Sequence, residues 1–175
     1  MKNFSKLYTT SEYISKNPSY HAEDSQFKWS NFEKCLKSIN DKRRFDINSI
    51  RSVCEVGCGV GGILNCLNNS AIFPSLNRIE GWDINQGAIE IAKRNYRNIK
   101  FYSGDVLQSG NQYDLMICAD VFEHVENAFA FLKDLGITSK YFLFNVPLEM
   151  NLLTMLQGNQ IIRKSYQSCG HLHFY

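Results

Sequence analysis

From residue 51 to residue 146 the chain alternates short β-branched or aromatic runs with stretches of helical periodicity, and this alternation restricts the fold more than any other feature. The apolar runs are RSVCEV (51–56), RIEGWD (78–83), NIKFYS (98–103), YDLMICA (113–119) and KYFLFNV (140–146). After the first run comes a glycine turn and a helix carrying Ile63, Leu64 and Leu67. NQGAIEIAKRNY predicts a helix with Ala88, Ile89, Ile91 and Ala92 on its apolar side. VENAFAFLKDLG predicts another, with Val125, Ala128, Phe129, Leu132 and Leu135 at helical spacing and Gly136 as its stop. Strand and helix in this order predict a doubly wound α/β layer, a mostly parallel sheet with helices on both faces.

The flanks attach to that layer as one domain over residues 1–175: a helical cap segment over 1–48, a core over 49–147 and an extension over 148–175. In the cap, Ser25 is a candidate N-cap for a helix over QFKWSNFEKCLKSI, whose Phe32, Cys35, Leu36 and Ile39 share a face. In the extension, LEMNLLTMLQG reads as helical and GHLHFY as extended. No apolar stretch reaches the roughly 18 residues of a membrane span, and MKNFSKLYTTSEY has no apolar block of the signal-peptide kind, so a cytoplasmic protein is expected. A formal net charge of +2 gives no electrostatic case for nucleic acid; the basic run DKRRFD is short and flanked by acids. The six cysteines fall mostly in apolar runs without a C-x-x-C pair, which suits reduced thiols rather than disulfides or a metal site.

The loop after the first strand, CEVGCGVGG, admits two ligands. Gly57, Gly59 and Gly62 satisfy the G-x-G-x-x-G pattern of dinucleotide sites. Glu55, however, stands two residues before Gly57, where a pyrophosphate against the loop and helix N-terminus would be repelled. A ligand with a cationic amine and a sulfonium would be attracted instead. Asp83, at the end of the second run, is placed to accept from a ribose diol and so indicates a nucleoside in either case. Asp105, in SGDV after the third run, is placed for an adenine amine, with Val106 against the ring.

Taken in order, VCEVGCGVGG, IEGWDINQGAIEIAK, FYSGDV, YDLMICADVFEHV and FLFNVP resemble the class I S-adenosylmethionine-dependent methyltransferases, from about residue 51 to 147. The resemblance implies a Rossmann-like sheet of order 3-2-1-4-5 and S-adenosyl-L-methionine as cofactor. It implies Gly57, Cys58, Gly59 and Gly61 in the loop against the methionine moiety, Glu55 steering its amino group, and Asp83 and Ile84 bracketing ribose and adenine. Asp105 and Val106 would hold the adenine edge, and Ala119 would lie beneath the amino-acid tail. The segment NPSYHAEDSQFKW has a looser likeness to a lid; folded over the cofactor, it would pair Lys28 with the methionine carboxylate and set Tyr20 or His21 in the acceptor cavity.

Methyl transfer to a small-molecule N, O or C nucleophile needs alignment first and a base only where the nucleophile must lose a proton. His124 in DVFEHV is the candidate base, and a backbone-tied histidine at a helix start is the competing reading. His171 and His173 would share a face of an extended GHLHFY, although nearby acidic or cysteine partners for a metal are lacking. This family usually carries two further strands after the fifth; either the sequence is truncated before them or residues 148–175 cover the edge differently, and an uncapped edge makes a homodimer or a strand-edge contact an expectation. Two other functions fit the same residues: a nicotinamide-dependent oxidoreductase, and a remnant that binds the cofactor without catalysis and serves as an interaction module.

Overall fold

The computed structural model describes residues 22–42, 44–148 and 172–173. Its centre is a five-stranded, all-parallel sheet of order β3-β2-β1-β4-β5. The strands are β1 (Ser52–Val56), β2 (Arg78–Asp83), β3 (Lys100–Ser103), β4 (Tyr113–Ala119) and β5 (Ser139–Asn145), and the expected layer and order are both realised. Helix α1 is Ser25–Asp41, α2 Gly62–Ser70, α3 Gln86–Asn95 and α4 Ala128–Thr138.

Because side chains alternate along a strand, the sheet sorts its residues between two cores. Val53, Leu115, Ile117 and Leu143 face α1 and α2, where Trp29, Phe32, Leu36, Ile63 and Leu67 close the layer. Cys54, Met116 and Cys118 point the other way, toward Leu135 of α4 and Val106. A third cluster joins Leu64 of α2 to Ile89 and Ala92 of α3 over Phe101. Between β3 and β4 the chain makes a single 3-10 turn, Val106–Gln108, in place of a helix. On that flank Trp82 stacks on Tyr102 with ring centroids 4.8 Å apart. Trp82 Nε1 donates to the Tyr113 hydroxyl (3.2 Å), which donates to Glu80 (2.7 Å), itself paired with Arg78.

Four local expectations need correction. Ser25 is not the cap of α1: it is the first helical residue and buried, while Asp24 holds the N-cap position without a side-chain cap bond. Cys35 is exposed rather than packed with Phe32 and Leu36; Trp29 takes the inner face with them. Helix α4 begins at Ala128 behind the cap Asn127, whose side chain accepts from Ala130 N–H, and it runs through Gly136 to Thr138. Its inner residues are Ala128, Phe131 and Leu135, whereas Phe129 is 86% exposed. The cysteines at 35, 54, 58, 66 and 118 are all free. No helix among the described residues is long and apolar enough to cross a membrane. The helix expected over 148–158, most of the extended GHLHFY, Tyr20, His21, His171 and Cys169 lie outside the described residues.

Candidate cofactor site

A cleft of about 440 Å³ opens at the carboxyl ends of β1, β2 and β4. In a parallel sheet this end collects the loops, and the reversal of strand order beside β1 leaves room between them. One wall is the loop from β1 to α2. Gly57 and Cys58 N–H both donate to Trp82 O (2.8 and 3.1 Å), which bends the chain across the top of β2. Gly57 has φ +66°, and a Cβ there would stand 2.5 Å from Val121 Cγ2. Asp83 holds the loop from the other side: Oδ2 accepts from Gly59 N–H at 2.8 Å and Oδ1 from Asn85 N–H at 2.7 Å. Burial raises the Asp83 pKa, and these two N–H groups act against that rise.

The floor carries the acid at the centre of the dinucleotide question. Glu55 is 2% exposed, lines the cleft, and its Oε2 has no hydrogen-bond partner. Its pKa is raised well above the usual carboxylate range, first by burial and then by the charge of Asp83. Lys28 and the Leu64 N–H pull it back down, and Asp120 adds a smaller push upward. A buried acid with an unsatisfied oxygen is costly unless a donor or cation reaches it.

Lys28 also lines the cleft, but its ammonium lies 2.5 Å from Asp120 Oδ2, so the cation expected for a carboxylate of the ligand is paired within the protein. Asp120 follows β4 in the left-handed region, at φ +54°. Asn145, at the end of β5, holds it there: Asn145 Nδ2 donates to Asp120 Oδ1 at 2.6 Å and Asp120 N–H donates to Asn145 O at 3.0 Å.

On the β2–β3 side, Ile84 is 47% exposed and lines the cleft. Val106 lines it too, yet it is 1% exposed and belongs to the core, so Ile84 offers most of the open apolar surface. Asp105 caps the 3-10 turn, with Oδ1 accepting from Leu107 N–H at 2.9 Å. Cys58, Gly59 and Ala119 are on the lining. Gly61 is not. It occupies the N-cap of α2 at φ +85°, and its bare Cα lets Phe101 close in; a Cβ would meet Phe101 Cζ at 2.6 Å. His124 does face the cleft, in the 3-10 turn Phe122–His124, with Nε2 4.0 Å from Oε1 of the buried Glu123.

The structure therefore brings together Lys28, Glu55, Gly57, Cys58, Gly59, Asp83, Ile84, Asp105, Val106, Ala119 and His124, and leaves Gly61 behind the wall. Sequence reasoning missed Asp120, Asn145 and Leu172. Asp120 sits inside the quoted run YDLMICADVFEHV, and its position one residue past the strand was the available signal.

Residues 23–175 match a methyltransferase domain family, and the chain belongs to that family. Among curated proteins it is 31% identical over 97 residues to a malonyl-[acyl-carrier protein] O-methyltransferase of Bacillus anthracis, an alignment covering 53% of this chain and 35% of that protein. The namesake from Halalkalibacterium halodurans is 25% identical over 103 residues, covering 53% and 36%. The chain thus aligns with about a third of the length of these relatives. Among solved structures, the magnesium protoporphyrin IX methyltransferase of Synechocystis PCC 6803 with bound SAH superposes with a TM-score of 0.56 at 22% identity, over 75% of this chain and 60% of that one. The plantazolicin methyltransferase BpumL, in complex with a triazolic desmethylPZN analog and SAH, gives 0.57 at 17% identity, over 91% and 58%. These likenesses establish the shared fold.

Proposed function

We propose that the chain binds S-adenosyl-L-methionine in this cleft and transfers its methyl group to a small-molecule acceptor. The observation that carries the proposal is Glu55: a buried carboxylate with an unpartnered oxygen, facing a cleft whose other wall is bare glycine backbone. A cationic amine completes that oxygen, whereas a diphosphate against the same loop would meet its charge. The residues present therefore fit the cofactor, and the nicotinamide reading is the weaker one.

When bound, the cofactor supplies an activated methyl on a cationic sulfur. Glu55 holds the amine. Asp83, fixed by Gly59 and Asn85, presents its remaining lone pairs to a ribose diol. Ile84, Val106 and Asp105 form the adenine site, and Ala119 closes the floor under the amino-acid tail. The protein's contribution to rate is alignment and exclusion of water, worth on the order of 7 kcal/mol or more in favourable geometry.

The relatives named O-methyltransferases support an oxygen acceptor. An ionised carboxylate needs no base, and a hydroxyl acceptor gives up its proton to His124. Free thiols at all five described cysteines suit a cytoplasmic setting. The outer edge of β5 has no strand partner among the described residues, and a second copy is our reading of what pairs there.

Calorimetric titration with S-adenosylmethionine, S-adenosylhomocysteine and NAD tests the central claim. Binding of the first two and not the third is expected; NAD binding alone would overturn it. Cofactor binding without methyl transfer to any of a panel of small carboxylates, phenols and amines would favour the non-catalytic remnant.

A further inference from the structure

The histidine pair of GHLHFY has no part in the function proposed above, yet the structure gives half of it a definite position. Leu172 and His173 return to the turn that follows β4. Both backbone N–H groups donate to one carbonyl, Glu123 O, at 2.7 and 3.2 Å. The His173 ring reaches over the same turn, with Nε2 2.8 Å from Val125 O. A carbonyl oxygen only accepts, so Nε2 carries the proton in this contact.

These bonds grip the turn on either side of His124. Glu123 and Val125 are its chain neighbours, so fixing their carbonyls fixes the backbone that aims the His124 ring into the cleft. The turn's own bonds, His124 N–H to Val121 O at 3.0 Å and Val125 N–H to Phe122 O at 3.4 Å, are local, and Phe122 packs edge-on against Phe144 of β5 with ring centroids 6.1 Å apart. From below, the Glu123 side chain is buried completely. Leu172 also lines the cleft, which makes it part of the wall rather than only part of the fastening.

The geometry points to Leu172 and His173 as a strap over the β4 side of the cleft, with His173 a positioning residue for the turn Val121–Val125 and Leu172 an apolar wall held against the bound nucleoside and its acceptor. This assignment rests on the reading of the cleft as a cofactor site.

The test uses the full chain, with S-adenosylhomocysteine as probe and two readouts: its dissociation rate by stopped flow, and amide exchange at Leu172 and His173 by NMR. His173→Ala is expected to speed dissociation about tenfold, the loss of one ordinary hydrogen bond, and to speed exchange at Leu172. His173→Gln, whose side-chain amide still donates to Val125 O, is expected to stay near wild type in both. Leu172→Ala is expected to speed dissociation while leaving exchange at His173 slow. His173→Gln as impaired as His173→Ala would overturn the positioning role, and so would His173→Ala indistinguishable from wild type. An unaltered rate in Leu172→Ala would overturn the wall. Should the wild-type chain not bind S-adenosylhomocysteine, the cofactor reading fails by itself; the strap then stands or falls on slow exchange at both amides in the unliganded protein, with fast exchange overturning it.

Discussion

The loops that leave β1 and β4 stand side by side over the cleft and keep their shapes by opposite means. The first, Gly57–Gly62, relies on what three of its residues lack: without side chains Gly57, Gly59 and Gly61 take left-handed angles, and the backbone folds over Trp82 O and Asp83. The second, Asp120–Val125, relies on what other parts of the chain supply, since Asp120 is left-handed without being glycine and is gripped by Lys28 and Asn145. A local sequence can signal the first kind of loop, although β2 still supplies the acceptors for its N–H groups. The second exists only in the assembled fold. The two meet where Val121 packs over Gly57, so each limits the other.

The largest effect that would test this contrast is at that contact. Gly57→Val puts a Cβ 2.5 Å from Val121 Cγ2 at φ +66°. Left-handed strain alone costs about 1–3 kcal/mol in a non-glycine residue. Calorimetry should show no S-adenosylhomocysteine binding, and the melting temperature should fall. Adding Val121→Ala should recover part of the stability and none of the binding; full recovery would mean that crowding, not backbone freedom, shapes the first loop.

Next comes Asp83→Ala, which removes the acceptor for Gly59 and Asn85 N–H and, on the proposed binding mode, for the ribose. With charged hydrogen bonds worth roughly 1.5–3 kcal/mol each, affinity should fall on the order of 100-fold or more. Retained affinity would show the first loop to be self-sufficient and the ribose to be elsewhere.

Glu55 gives a smaller, graded signal. Its pKa is raised in the folded protein, so unliganded stability falls as pH rises from the ordinary carboxylate range through the raised value. If Glu55 holds the cofactor's amine as proposed, binding requires its ionised form, so affinity should rise over the same interval, by up to about tenfold per pH unit. Binding then releases a proton, measurable by titration in buffers of different ionisation enthalpy. Lys28→Met removes the charge that lowers the Glu55 pKa, and should move the rise in affinity to higher pH; an unmoved profile would detach Lys28 from the floor of the cleft. Glu55→Gln should flatten the profile.

The smallest change belongs to the second loop. Asn145→Ala removes one of the two bonds between Asn145 and Asp120, while Lys28 and the Asn145 carbonyl remain. Stability should drop by about 1.5 kcal/mol, the low end for a bond to a partly exposed carboxylate, seen in urea unfolding, with affinity changed little. A large loss of affinity would show that the angle at Asp120 is set by this side chain alone.

The same contrast explains what was legible in the sequence. Strand periodicity gave the five strands and their order followed from the family likeness, while Glu55, Gly57 and Asp83 were placed by short-range pattern. Asp120 and Asn145 escaped because they meet through the register of β4 on β5, in which Ala119 stands opposite Asn145. Helix α4 was misread for a different reason. FAFL is apolar nearly all round, so the expected stripe Val125-Ala128-Phe129-Leu132-Leu135 and one through Phe131 compete; Ala128 and Leu135 do face inward, but contact with Met116 and Phe142 puts Phe131 beside them in place of Phe129. Gly61 has the left-handed angle of its neighbours in the loop but serves helix packing instead.

The single turn between β3 and β4 has a consequence for how the sheet opens. Where a crossover helix would lie as a second layer, the described residues offer over this face of β2 and β3 only the stacked rings of Trp82 and Tyr102, Tyr113 and the short turn with Val106 and Leu107. Deuterium should enter the molecule first along this thin flank, and a bound purine, by adding one more flat ring at its rim, should slow that entry.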